Sequence, residues 1–411
     1  MKSRTLGALA GALAALPAYQ SGAAETGYRF SRYAESDLPG SRTASGERES
    51  RYDIQTHQLE DSRAVGRGWT LDSDLMIEAM SGASPWFVLP SASRGAVQVM
   101  SGASIREERY ALSAQLQRDP GGDRRWSLNL GLSDEDDYTA YSAGMQWEWD
   151  NADRSRTWSA GLGLSDDHLN PTDGGSERFP ERIVSADKQT WQAVGGVSQV
   201  LTPSTVAQAS LAVAQDSGYL SDPYKLVFVD GDTEPDTRPR SRDQLALTLR
   251  LRHYLRALGA ALTADWRHFR DDWDIHSDTI ELGLIGRLRQ VWRWSGSLRY
   301  YQQSQADFYG PFFDEAPASG RYSSDYRLSP YGAISLRLGW EYRGRDWSAG
   351  LAYERYDSDA DYAPGSVRLA NPGLVDFNII SVVFAWHLGG RAGAPLLPPE
   401  TDLRVIPPED A

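Results

Sequence analysis

Apolar and polar residues alternate along most of this chain. Trp126, Leu128, Leu130 and Leu132 fall on one face, with Ser127, Asn129, Gly131 and Ser133 on the other. The same rhythm sets Trp158, Ala160, Leu162 and Leu164 against Ser159, Gly161, Gly163 and Ser165. Leu245, Leu247, Leu249 and Leu251 alternate with Ala246, Thr248, Arg250 and Arg252. Ile334, Leu336, Leu338, Trp340 and Tyr342 alternate with Ser335, Arg337, Gly339, Glu341 and Arg343. A period of two makes a strand with one apolar and one polar face. Runs of about nine or ten residues suit a tilted strand crossing a bilayer.

Turn signals divide the runs unevenly. Tight turns are expected near 61–67, 119–124, 151–155, 202–204, 256–258, 290–293 and 343–346. Longer or acidic connections are expected near 37–49, 81–103, 134–138, 167–187, 217–242, 271–276, 307–326 and 358–375. Short connections on one side and long ones on the other are the asymmetry of a membrane barrel, with the short turns periplasmic. The pattern predicts an all-β fold: a transmembrane antiparallel up-and-down β-barrel of about 16 strands, with both ends on the short-turn side.

Composition agrees. The 411 residues are 40% hydrophobic, too polar for a helical membrane protein, yet include 14 Trp and 20 Tyr. Trp126, Trp147, Trp149, Trp158, Trp292, Trp294, Trp340, Trp347 and Trp386 lie beside proposed short turns or the final strand, as a periplasmic aromatic girdle requires. A soluble β-sandwich would not gather Trp at one end of successive hairpins. Cysteine is absent, which excludes disulfides, thiolate metal sites and cysteine nucleophiles. The net charge of −14 offers no basic stripe for nucleic acid.

The ends differ from the middle. Lys2 and Arg4 precede a short apolar stretch, 6–16, and then the small residues Ser21 to Ala24. Residues 1–24 therefore read as a secretory signal peptide, cleaved after Ala23 or Ala24. The barrel is expected over 25–388. Pro395, Pro398, Pro399, Pro407 and Pro408 forbid regular pairing, so 389–411 reads as a periplasmic tail. Cleavage and barrel closure imply residence in the bacterial outer membrane. The implied partners are its lipid, lipopolysaccharide and the barrel-assembly machinery.

Four stretches carry a family resemblance: GASPWF at 82–87, SDPYK at 221–225, RDDWDIHSD at 270–278 and RYYQQSQADFYG at 299–310. The chain resembles a family of uncharacterised Gram-negative outer-membrane β-barrel proteins, defined by a domain of unknown function. The resemblance implies a periplasmic lipoprotein partner and an extracytoplasmic redox or metal setting. It implies no activity.

Three groups could carry chemistry. By alternation Arg250, Arg252, Arg267, Arg287, Arg289, Arg299 and Arg337 point inward, with Arg343 beyond them and Asp265, Glu281, Glu341 and Glu354 nearby. Such a wall either attracts anions into a water-filled pore or braces a closed lumen with ion pairs. The apolar loop centred on Trp86 and Phe87 is a candidate constriction; its alternative is contact with a partner or with other loops. Acidic clusters recur at the outer ends. Asp271, Asp272, Asp274 and His276 are the candidate ligands for a divalent cation, against a simply solvated rim. No other cofactor is implied. His168 and His276 have acidic neighbours, but no hydrolase motif appears, and no enzyme activity is expected. The expected function is a porin-like channel for small solutes or ions. The alternative is a non-transporting scaffold or receptor binding a metal, lipid or protein partner at the acidic outer rim.

Overall fold

The computed structural model describes residues 24–101, 105–289 and 291–388. The expected tail and all of the expected signal peptide except Ala24 lie outside them. The first three strands are β1 (Ala24–Glu35), β2 (Asp53–Gly66) and β3 (Trp69–Gly82). A hairpin of β4 (Pro85–Ser91) and β5 (Gly95–Met100) follows. Next come β6 (Ile105–Arg118), β7 (Arg124–Glu135), β8 (Tyr138–Asp150), β9 (Arg156–Leu169), β10 (Ala186–Thr202) and β11 (Thr205–Gly218). A second hairpin is β12 (Leu226–Val229) and β13 (Asp232–Pro235). The last strands are β14 (Ser241–Leu255), β15 (Ala260–Asp271), β16 (His276–Leu288), β17 (Trp292–Gln303), β18 (Tyr331–Arg343), β19 (Trp347–Asp359) and β20 (Phe377–Leu388).

Without the two hairpins, sixteen strands form one closed barrel in chain order. Each pairs antiparallel with its neighbours, and β1 meets β20 in unbroken register from Ala24↔Leu388 to Glu35↔Phe377. Closure leaves no unpaired edge, which a strand structure in hydrocarbon must achieve.

The faces follow the alternation. Leu130, Leu162, Leu164, Leu249 and Leu338 project outward and are exposed on the isolated barrel. In a bilayer each meets lipid, a transfer from water of roughly 1.5–3 kcal/mol per side chain. Cross-strand Trp pairs stand at the short-turn end: Trp126↔Trp147, Trp149↔Trp158, Trp294↔Trp340 and Trp347↔Trp386. Trp69, absent from the expected girdle, stacks edge-on against Trp126 at 5.1 Å.

The seven expected short turns are all present, with small shifts. The first is only Arg67 and Gly68, because β2 runs on through a bulge between Ala64 and Gly66. Gly68 has φ +67, and a Cβ there would sit 2.0 Å from the Asp119 carbonyl oxygen, so the turn requires glycine. On the opposite end the acidic connection expected at 134–138 shrinks to Asp136 and Asp137, since Glu135 pairs with Tyr138.

The long connections fold together as a cap. One apolar core joins Tyr33, Tyr52, Tyr326, Tyr331, Tyr356 and Phe377. A second joins Phe269, Trp273, Ile275, Phe308, Tyr309 and Leu328. Strand and loop residues share both, so the cap is continuous with the outer barrel wall.

The short-turn rule predicts Asp123 on the periplasmic side and Thr172 on the external side. The absence of native cysteine makes the test direct. On intact cells, Thr172→Cys should react with an impermeant maleimide and Asp123→Cys should not. The reverse labelling would invert the topology.

Candidate functional site

The cap has a charged core as well as apolar ones. Asp325 lies at its centre, its side chain inaccessible. It receives Arg238 Nη2 at 2.9 Å and Arg327 Nη2 at 2.5 Å, with Lys225 Nζ at 3.9 Å. Arg238 also donates to Asp236 at 2.7 Å, and Arg327 Nη2 lies 3.3 Å from Asp222. Three carboxylates and three cations thus neutralise one another inside the connections β11–β14 and β17–β18. Burial alone would raise the Asp325 pKa, but Arg327, Lys225 and Arg238 outweigh it and hold the carboxyl well below its ordinary value. Burial raises Asp236, and Arg238 opposes it. Burial also depresses Lys225. A second buried pair, Glu35–Arg51 at 2.7 Å, stands beside Tyr326.

This core draws loops together across the mouth. Lys225 Nζ donates to the Pro85 carbonyl oxygen at 3.2 Å, linking the β11–β14 connection to the β4–β5 hairpin. The β11–β14 and β17–β18 connections share the bridges Val229↔Phe313 and Thr237↔Tyr322. Asn371, from the β19–β20 connection, donates to the Tyr309 hydroxyl at 3.0 Å. Arg42, from the β1–β2 connection, donates to the Pro372 and Leu374 carbonyl oxygens. Tyr224 donates to the Asp137 carboxylate and accepts the Thr172 N–H, which brings in two more connections. Attachment points spread around the ring are therefore tied over its centre. The motif stretches 82–87, 221–225, 270–278 and 299–310 all contribute to this assembly.

Trp86 and Phe87 lie on β4 within the cap, their rings edge-on at 5.3 Å. Val88 beside them is buried, and Gln98 donates to the Phe87 carbonyl oxygen at 2.8 Å. The apolar loop is thus a packed hairpin among other loops.

The inward arginines fall into different settings. Arg252 makes two bonds to Asp265, at 2.5 and 2.9 Å. Arg337 meets Glu354 at 2.9 Å and Glu281 at 3.9 Å. A cross-strand row runs Arg250↔Asp265↔Glu281↔Arg299, so acids lie between these two arginines. Arg267 lies 5.2 Å from the Phe269 ring beneath the cap. Arg287 pairs in register with Arg293 near the short-turn end. Arg289 is a correction to the expected wall. The strand β16 ends at Leu288, and Arg289 sits in the following turn with φ +53. Its alternation with Arg287 does not survive the chain reversal.

The four expected metal ligands do not converge. Asp271 projects inward, where Arg242 binds it at 2.7 Å and the N–H groups of Trp273 and Ile275 take its other oxygen. Asp272 accepts the Asp243 N–H. Asp274 and His276 remain exposed, 3.6 Å apart. Among the described residues, the carboxylates that do meet are Glu107, Glu135 and Asp137, with ligand oxygens within 4.8 Å of one another. Two belong to the acidic stretch 133–138; Glu107 comes from β6. Arg109 stands beside them, 3.8 Å from Glu135 and 3.1 Å from Glu78.

A closed sixteen-stranded barrel with a lipid-facing apolar belt and a folded outer cap defines a transmembrane β-barrel of the outer-membrane type. Residues 6–373 match the model of the family described as protein of unknown function DUF3570, and the chain belongs to that family. No curated protein matches the sequence. The solved structures with similar folds include a ferric enterobactin receptor mutant from Pseudomonas aeruginosa, at 12% identity and TM-score 0.45. That match covers 89% of this chain but 59% of the receptor, so the chain spans about three fifths of its length. A bacterial polysaccharide outer membrane secretin matches at 10% identity and TM-score 0.46, over 89% of this chain and 99% of that one. The toluene transporter TodX from Pseudomonas putida matches at 10% identity and TM-score 0.42, over 90% and 92%.

Removing one partner of a buried charge cluster leaves the others uncompensated, at about 3–5 kcal/mol. Asp325→Asn should therefore loosen the cap by that order while the barrel stays folded. Amide exchange should accelerate across 219–240 and 304–330 and not in β7–β9. The pH sign follows from the depressed Asp325 pKa. Its contribution is complete above the ordinary carboxyl range near 3.9 and is lost as pH falls through the lower folded value. Asp236 works oppositely, since protonation relieves its burial. Cap protection in the unmodified protein should thus not fall between pH 7 and 5.

Proposed function

We propose that this protein is an outer-membrane passage for small polar solutes whose outer mouth is closed by the cap at rest. The observation that carries this reading is the lumen face. On β7 to β11 it presents Ser127, Asn129, Ser159, Gly163, Gln208 and Ser210, short or neutral polar groups. Charged pairs stand on both sides of it, Arg125–Glu148 on β7 and β8 and Arg252–Asp265 and Arg337–Glu354 opposite. Sixteen strands leave an interior wider than side chains fill, unlike eight. A polar lumen of that size admits water and solutes once the cap moves. Residence in the outer membrane, export by a cleaved signal and entry through the assembly machinery belong to the same reading.

A second reading has a specific observation behind it. The grouped Glu107, Glu135 and Asp137 suit a scaffold that holds a divalent cation at its rim.

Planar-bilayer recording separates the two. The unmodified protein should give rare, brief openings. A variant with residues 85–100 replaced by a short glycine–serine turn should conduct steadily. Silence in both forms, with calcium-dependent thermal stabilisation that Glu135→Gln abolishes, would overturn the passage reading and favour the scaffold.

A further inference from the structure

At the short-turn end of the lumen, two arginines face one buried glutamate and a third stands beside them. Glu341 of β18 is 1% exposed. Arg343 Nε reaches its Oε1 at 3.0 Å, and Arg293 Nη1 lies 3.6 Å from its Oε2. Arg287 is the cross-strand partner of Arg293 and is exposed to the lumen mouth. Ser348 of β19 is the cross-strand partner of Arg343 and is 1% exposed. Glu25 of β1 stands within electrostatic reach of Arg343 and Glu341. Counting it, three guanidinium groups face two carboxylates.

The hydrogen bonds are less balanced than the charges. The side chain of Arg293 is nine-tenths buried, yet its Nε has no acceptor among the described residues. Arg343 Nη2 and the Ser348 hydroxyl are likewise buried without one. Buried charged donors are ordinarily satisfied, because each loses its water on burial. Here two charged donors and one hydroxyl gather where the net charge is positive. Glu341 does not reach them: its Oε1 is taken by Arg343 Nε, and its Oε2, 3.6 Å from Arg293 Nη1, makes no hydrogen bond to any of the three. Arginine presents several donors in a fixed fork, a geometry that matches an oxyanion with several acceptor oxygens.

We propose that Arg287, Arg293, Arg343 and Ser348 form an oxyanion site at the inner end of the lumen, taking inorganic phosphate or a small phosphomonoester. Ser348, the buried Arg293 and the half-buried Arg343 would bond its oxygens from the wall. Arg287 would close the lumen side. A phosphate dianion brings acceptors on all its faces, which suits donors arriving from β16, β17, β18 and β19. The site is independent of conduction: a closed barrel could hold it as well as an open one.

The test is equilibrium dialysis of the folded full-length protein in detergent against radiolabelled inorganic phosphate, at constant ionic strength in sodium chloride. Saturable binding of one phosphate per chain is expected. Arg293→Gln should weaken it roughly tenfold or more, the loss expected for a bond to a charged group. Arg289→Gln removes the same charge from the same mouth but outside the cluster, and should leave binding unchanged. If Arg293→Gln fails to fold, Arg343→Lys keeps the charge, loses the fork and should weaken binding in its place. Absence of saturable binding overturns the proposal. So does equal weakening by Arg289→Gln and the cluster variant, which would indicate general attraction to a basic mouth.

Discussion

Every backbone N–H and C=O within the hydrocarbon must find a partner inside the protein, because lipid supplies none. The rest of this molecule follows from that requirement. Sixteen strands meet it by pairing in chain order and closing β1 on β20. Once the ring is closed, the pleat assigns alternate residues to lipid and lumen. Leu128, Leu130 and Leu132 can then be apolar while Ser127, Asn129 and Gly131 are not. The ring also fixes where the loops start, and so which of them can meet above it.

The barrel was legible because its signal is local. A period of two and a turn can be read within about a dozen residues, and the Trp pairs repeat at the same end of hairpin after hairpin. The cap was not legible, because its contacts are not local. Lys225 meets Pro85 across 140 positions, and Arg327 meets Asp222 across 105. No spacing rule reports such pairs. The same reason explains the metal candidates. Asp271, Asp272, Asp274 and His276 look like one cluster in sequence, but strand parity turns Asp271 inward onto Arg242. Glu107 joins Glu135 and Asp137 only because β6 and β7 are neighbours. Arg289 failed for a smaller reason, a strand that ends one residue before it.

Charge performs different work at different depths. In the cap, Asp325 gathers Lys225, Arg238 and Arg327 and thereby ties separate loops. Along the wall, Arg252 and Arg337 face Asp265 and Glu354, which spares the barrel isolated charges in its interior. At the inner end, Arg287, Arg293 and Arg343 outnumber the carboxylates beside them. An arginine row read from sequence alone suggests one continuous anion path. The structure divides it into neutralised stretches and a basic inner end.

The central claim is that alternation places neighbouring residues in different solvents. It is tested most directly by arginine substitutions at Leu130 and Asn129, successive residues in the middle of β7. Reversible folding into bilayers, followed by denaturant titration, gives both free energies. Leu130→Arg should cost about 2–4 kcal/mol, as charge facing the hydrocarbon midplane does. Asn129→Arg should cost far less, because its side chain enters the polar lumen. Equal costs, or the larger cost at Asn129, would contradict the account.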